Sequence, residues 1–379
     1  MANQLFATKP LKLLLEEAKG ENRLNRILGP VQLSALGVGA IIGAGIFVST
    51  GAAAHNTAGP ALMLSYVVAG LTCVFAALCY AEFASMVPVA GSAYTYAYAT
   101  LGEMFAWIIG WDLVLEYAVG SATVANGWSS YFKKLLPKMD IHLPDAIASA
   151  PLKYDHELGT LVGTNGFIDL PAVIIVLIVT AVLVKGIQES AKFNAAMVAL
   201  KLAAVLFVIM VGAYYFNSDN WEPFAPYGMG GVSIFGHTIW GQTVGDKPVG
   251  MLAGAAIIFF AYIGFDSVST HAEEAKNPRR DVPIGIIASL LICTVLYVAV
   301  VAVLTGMVKY TEIDTGAGVS SAFKSVGLEW AEVIINIAGV AGITSVLLVM
   351  MLSGPRVFLA MARDGMVPQK FFGDVHPRF

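Results

Sequence analysis

A chain of 379 residues that is 57% hydrophobic and 13% charged, with a mean hydropathy of +0.74, has too few polar side chains to cover a water-soluble globule. Lipid must cover part of it, which excludes disorder, collagen, coiled coil and a disulfide-stapled secreted fold. The net charge of −4 leaves no basic footprint for nucleic acid, and Cys73, Cys79 and Cys293 lie in apolar runs without metal or redox spacing.

Residues 1–30 are polar and amphipathic. Leu11, Leu14, Leu15 and Ala18 share one helical face, with Lys9, Lys12, Glu16, Glu17 and Lys19 largely elsewhere, which predicts a cytoplasmic surface helix against the headgroups. A helical crossing needs about 20 apolar residues. Ile27 to Ala81 is a stretch of 55 residues without Asp, Glu, Lys or Arg, room for two spans, and residues 55–60 mark the turn between them. Further spans are expected at about 104–132, 167–184, 193–216, 248–271, 282–308 and 333–355, the last two uncharged over 27 and 23 residues. The expectation is an all-α multi-pass membrane protein of about eight transmembrane helices. Lysine and arginine set its orientation. With the N-terminus cytoplasmic, the inner side holds twice as many of them as the outer side, whose share is Lys133, Lys134, Lys138, Lys153, Lys247, Lys309 and Lys324. The outer segments 133–166 and 217–247 read as ordered caps or loops.

Two spans look broken. Gly37, Gly39, Gly43 and Gly45 fall within nine residues of the first span. Close packing through small residues accounts for Gly37 and Gly39, while Gly43-Ala44-Gly45 reads as an unwound stretch. The sixth span has a matching weakness at Ile263-Gly264-Phe265-Asp266. Spans one and six are equivalent if five helices form a repeat, and paired interrupted helices point to a transporter site. Unwinding frees N–H and C=O groups that hydrocarbon cannot satisfy, so they belong where a polar ligand meets them. The N-terminal end of a half-helix favours a carboxylate, and freed carbonyls favour an ammonium. Two broken helices can therefore hold both ends of a free amino acid.

Four stretches carry a family resemblance in order along the chain: Gly39 to Phe47; Tyr80 to Pro88, continuing through Gly91-Ser92-Ala93-Tyr94, Gly102-Glu103 and Gly110-Trp111 to Leu115-Glu116-Tyr117; Phe260 to Asp266 with Glu273-Glu274 and Asn277-Pro278-Arg279-Arg280; and Pro355-Arg356 leading to Ala362-Arg363-Asp364-Gly365. From Arg26 to Phe379 the sequence resembles the amino acid–polyamine–organocation superfamily, most closely a bacterial-type member of its cationic amino acid transporter family. The resemblance implies a 5+5 inverted-repeat fold with broken helices 1 and 6 and commonly twelve or more spans. The expected layout is a first repeat over 31–217, an extracellular loop over 218–247 and a partial second repeat over 248–379, lacking its ninth and tenth helices.

The resemblance also implies a secondary active transporter of the cell membrane. It would be a proton-coupled amino acid symporter working by alternating access, with an exchanger or a sodium-coupled symporter as the alternatives. The substrate carboxylate would meet backbone N–H groups at Gly43, Ala44 and Gly45. The amine would meet carbonyls at Ile41 or Ile42 and at Phe260, Ala261 and Ile263. Phe260 resembles the aromatic that closes over bound substrate. Lys201, a charge inside span five, resembles a lysine that replaces sodium and would carry the coupling proton; the alternative is a structural lysine bonded to carbonyls. Glu116 resembles a wall of the side-chain pocket. Asp266, just after the break in span six, is placed to cap the following half-helix. Thr344 and Ser345 would hold sodium if Lys201 does not replace it. Met350 departs from the small polar residue of the animal members, which favours a small neutral amino acid such as alanine over a cationic one. Channel and enzyme readings lack their signatures: no repeated filter, HExxH, GxSxG or paired catalytic aspartates occur. No cofactor or metal is called for. The expected partners are substrate, proton and bilayer, with an accessory membrane subunit left open.

Overall fold

The computed structural model describes residues 6–10, 12–13, 25–43, 45–87, 89, 91–155, 160–185, 187–235, 237–245, 247–315 and 318–374. In chain order its main helices are α1 (Pro30–Ile41), α2 (Thr50–Ala53), α3 (Leu62–Met86), α4 (Ala93–Thr100), α5 (Glu103–Leu135), α6 (Leu170–Val184), α7 (Ile187–Tyr214), α8 (Met251–Ile258), α9 (Ser267–Thr270), α10 (Pro278–Met307), α11 (Gly318–Ser325) and α12 (Glu329–Arg363). The expected amphipathic face, at Leu11, Leu14, Leu15 and Ala18, lies outside the described residues.

Among the described residues, six helical segments are long and apolar enough to cross a bilayer: Thr50–Met86, Glu103–Lys138, Lys192–Tyr214, Met251–Thr270, Pro278–Met307 and Glu329–Arg363. Pro30–Ile41 and Leu170–Val184 are apolar but shorter. The segment Thr50–Met86 would be about 55 Å long if straight, well beyond one crossing. It is not straight: Gly59 takes φ +62°, and a Cβ there would sit 2.5 Å from the Pro226 ring, so glycine alone makes this corner.

Large apolar side chains such as Phe75, Leu177, Met210 and Val295 face outward, as a lipid-solvated bundle requires. α12, the most enclosed of the six spans, packs on α5, α7 and α1. α10 packs on α3 and α1, and the approach to α1 is close because Gly37 has no side chain: a Cβ there would lie 2.4 Å from Ser289 Oγ.

The two ends of the bundle differ. At one end, Leu28 pairs with Ala275 in a parallel bridge: Leu28 N–H donates to Glu274 O and Lys276 N–H to Leu28 O. At the other, Ala61 N–H donates to Phe224 O, Gly250 N–H to Thr57 O, and the Tyr227 hydroxyl to His55 O. This second end corrects the all-α expectation. Three two-stranded antiparallel ribbons lie in the connecting segments: β1 (Leu152–Asp155) with β2 (Thr160–Gly163), β3 (Val232–Ile234) with β4 (His237–Trp240), and β5 (Gln242–Val244) with β6 (Lys247–Val249). Val244 pairs with Lys247, and Gly245 at the start of the connection takes φ +62°.

Candidate functional site

Both expected interruptions exist. α1 stops at Ile41; Ile42 leaves helical geometry at φ −74°, ψ 105°, and the chain resumes as a wide π-turn over Gly45–Ser49 that leads into α2. Ala44 lies outside the described residues. α8 tightens into a 3₁₀ turn over Phe259–Tyr262 and Ile263 extends at φ −53°, ψ 134°. Gly264 then takes φ +111° before α9 begins.

The two breaks touch. A Cβ on Gly45 would lie 2.4 Å from Ala261 Cβ and 2.5 Å from its Cα, and one on Gly264 would lie 2.8 Å from Ala40 Cβ. Neither position has room for a side chain. The half-helices also exchange partners: α1 packs on α9, and α2 packs on α8.

The exposed carbonyls are held by side chains from flanking helices. The Tyr297 hydroxyl, on α10, lies 2.7 Å from Ile41 O and 3.2 Å from Ala261 O and so bridges both breaks. Lys201, on α7 and wholly buried, donates from Nζ to Gly39 O at 2.9 Å, Ile42 O at 2.8 Å and Ser345 Oγ at 3.3 Å. Ser345 Oγ in turn donates to Asn194 Oδ1 at 2.6 Å. Beyond the break, the Tyr131 hydroxyl donates to Phe47 O at 2.8 Å.

Behind the breaks sits a triangle of tyrosines. Tyr66, Tyr262 and Tyr297 lie 5.3–6.1 Å apart between ring centroids. Tyr262 donates to Tyr66 O at 2.9 Å, and the Tyr66 hydroxyl lies 2.8 Å from Thr50 Oγ1.

Of the residues singled out from the sequence, Ile41, Ile42, Gly43, Gly45, Ala261 and Lys201 gather at this junction. Gly43 presses on α12, where a Cβ would lie 2.3 Å from Val346 Cγ2. Phe260 is 43% exposed beside Ala261, and Phe260 O already accepts the Ile263 N–H at 3.3 Å. Glu116 is half-buried on α5, within electrostatic reach of Asp266. Met350 is buried with its sulfur over Gly120 of α5, 3.0 Å from where a Cβ would stand.

Asp266 does not cap α9. Its side chain makes no cap bond, and its carboxylate accepts the Tyr117 hydroxyl at 3.2 Å. Thr344 Oγ1 accepts from Trp128 Nε1 at 2.8 Å and donates to Val340 O at 2.7 Å, so its hydroxyl is engaged in both senses. Tyr297 and Asn194 escaped the sequence reading. The available signal was a tyrosine at the centre of a charge-free span, whose O–H must find a partner.

At the end of the bundle near Leu28, a second polar cluster ties four segments together. Arg356 holds Glu274 through two contacts, Nη2–Oε1 at 2.5 Å and Nε–Oε2 at 3.2 Å, and Arg363 holds Glu273 at 2.6 Å. Lys9 pairs with Asp364, which also accepts the Tyr94 hydroxyl at 2.6 Å.

Residues 28–379 match the profile of the amino acid permease family. The chain is 47% identical over 379 residues to the branched-chain amino acid permease BcaP of Bacillus subtilis (strain 168), covering all of this chain and 76% of the relative. It is 44% identical over 377 residues to the methylthioribose transporter of the same organism, covering all of this chain and 75% of that one. The vacuolar cationic amino acid transporter 4 of Arabidopsis thaliana is 37% identical over 95% of this chain and 56% of its own length. A substrate-bound, outward-open structure of a Na⁺-coupled sialic acid symporter superposes with a TM-score of 0.59, covering 94% of this chain and 72% of that one. Its 13% identity makes this a likeness of fold.

Proposed function

The chain belongs to the amino acid permease family of the amino acid–polyamine–organocation superfamily, a family of membrane transporters rather than enzymes, and from that premise we propose that it is a proton-coupled amino acid symporter working by alternating access. The observation that carries the reading is the junction itself: two interrupted helices in contact at Gly45 and Ala261, cross-linked by Tyr297, with the Lys201 ammonium on the carbonyl end of α1.

In this reading α1 and α2 with the π-turn form the first of eight crossings in a 5+5 inverted repeat. The first repeat runs over 31–217, an extracellular loop over 218–247, and a partial second repeat over 248–379. The end near Leu28 faces the cytoplasm across the cell membrane, with the N-terminus inside. The substrate carboxylate takes N–H groups at Gly43, Ala44 and Gly45. Its ammonium takes second lone pairs of the carbonyls at Ile41 or Ile42, Phe260, Ala261 and Ile263; the first lone pairs at Ile41, Ile42 and Ala261 already serve Tyr297 and Lys201. Phe260 closes over the site and Glu116 lines its side. Met350, buried against α5, narrows the side-chain pocket, which supports a neutral aliphatic substrate, and the likeness to a branched-chain permease points the same way.

Lys201 carries the coupling proton in this scheme. When protonated, its ammonium pins Gly39 O and Ile42 O; losing the proton removes the charge from that bond set and frees the α1 end to move. The Lys201 ammonium already fills the place between Gly39 O, Ile42 O and Ser345 Oγ where a sodium ion would sit, which speaks against the sodium-coupled alternative.

The test uses the purified chain in empty liposomes. Uptake of labelled leucine or alanine is expected to rise above equilibrium only with an inward proton gradient and to saturate with substrate. Uptake that requires internal amino acid and ignores the gradient would identify an exchanger and overturn the symport reading.

A further inference from the structure

The sequence Asn277-Pro278-Arg279-Arg280 plays no part in the transport site, yet it stands at a mechanically sensitive place. The parallel bridge between Leu28 and Ala275 joins the chain entering α1 to the chain leaving α9, which are the halves of the two broken helices at that end. Both chains then turn into packed helices, α1 and α10, starting at Pro30 and Pro278. Arg26, Lys276, Arg279 and Arg280 are all exposed around this seam.

Their neighbouring acids are already engaged. Glu274 is held by Arg356, Glu273 by Arg363, and the Asp281 carboxylate accepts the Asn277 N–H at 3.1 Å. Asp281, whose carboxylate meets only a backbone N–H, offsets one charge, so among the described residues the seam keeps an excess of positive charge with no ion pair on any of the four cations.

The patch also borders the apolar belt. Val31, in the first turn of α1, is 76% exposed, and Ile284, one turn beyond Arg280 on α10, is 41% exposed. Cations on the water side and bare aliphatic side chains on the other match a phospholipid, whose anionic head and acyl chain sit in that order. A free anion would use only the polar half of the site.

We propose that Arg26, Lys276, Arg279 and Arg280 bind the anionic headgroup of a membrane phospholipid, and that this lipid clamps the seam between the two half-helices. The binding stands on the patch alone; its influence on uptake rests on the transport reading above.

The experiment titrates the detergent-purified full chain with phosphatidylglycerol, phosphatidylcholine or inorganic phosphate. It reads lipid retention by native mass spectrometry together with the thermal unfolding midpoint. Phosphatidylglycerol is expected to be retained and to raise the midpoint, and phosphatidylcholine is not. Each basic residue near such a surface contributes about fivefold in affinity, so the Arg279→Gln/Arg280→Gln pair is expected to weaken retention about thirtyfold. Lys309→Gln, at the opposite end, leaves it unchanged. Equal retention by the double variant would overturn the site. Stabilisation by inorganic phosphate as strong as by the lipid would overturn the assignment of a lipid. If retention falls as expected while uptake in phosphatidylglycerol vesicles is unchanged, the clamp is refuted and the binding stands. Absence of uptake by the parent chain would count against the transport reading and not against this site.

Discussion

Replacing Lys201 with methionine separates structural from coupling roles most cleanly. Methionine keeps most of the stem volume and removes the ammonium. Three bonds disappear: those to Gly39 O, Ile42 O and Ser345 Oγ. Ser345 Oγ lies 3.2 Å from Gly39 O, but its one proton already goes to Asn194 Oδ1, so it can serve Gly39 O only by leaving that partner. Ile42 O loses the only side-chain donor described for it, and one orphaned buried acceptor costs about 1–3 kcal/mol. Removing a buried charge returns part of that cost. With two acceptors left short of a donor and part of that cost returned, stability is expected to fall by about 2–5 kcal/mol. In proteoliposomes its proton-driven accumulation should fall to the level seen without a gradient, while exchange against internal substrate continues. A folded Lys201→Met protein that still concentrates substrate in response to the gradient would refute the assignment of the coupling proton.

Other substitutions probe the frame around that lysine. Tyr297→Phe deletes one oxygen and leaves Ile41 O and Ala261 O without their shared donor, so stability should fall by about 1–3 kcal/mol and the KM for uptake should rise. An unchanged KM would show that the bridge does not shape the binding junction. Gly264→Ala places a Cβ 2.8 Å from Ala40 Cβ on a backbone at φ +111°, which should cost about 2–4 kcal/mol and show as a lower Tm in detergent. Glu274→Ala leaves Arg356 uncompensated and buried, a loss of about 3–5 kcal/mol. The Glu274→Leu/Arg356→Met pair should recover much of that stability, and a neutral single variant would contradict the geometry.

What was legible in the sequence followed from solvent physics. Charge-free runs such as 282–308 had to be helices in lipid, because no other backbone satisfies its hydrogen bonds there without a partner. The breaks could be read because glycines and a deep carboxylate are costly inside a span unless they have a task. Lys201 stood out for the same reason, and its partners proved to be carbonyls at the end of α1, as the reading of an unwound segment requires. Side-chain partners at long range were not legible. Asp266 has the right residue type for a cap, yet Tyr117, 149 positions earlier, takes its carboxylate. The ribbons at 232–249 were missed because short strands in a connecting segment follow from local turn geometry at Gly245, which hydropathy does not report.

The tyrosine triangle has a consequence for how such a molecule can move. Tyr66, Tyr262 and Tyr297, with Thr50, fasten parts of both interrupted segments to α3 and α10 by hydroxyl bonds as well as ring contacts. A rearrangement that swung either interruption freely would have to unfasten several of these bonds together. The less costly motion carries the knot along as one rigid piece and places the flexing outside it.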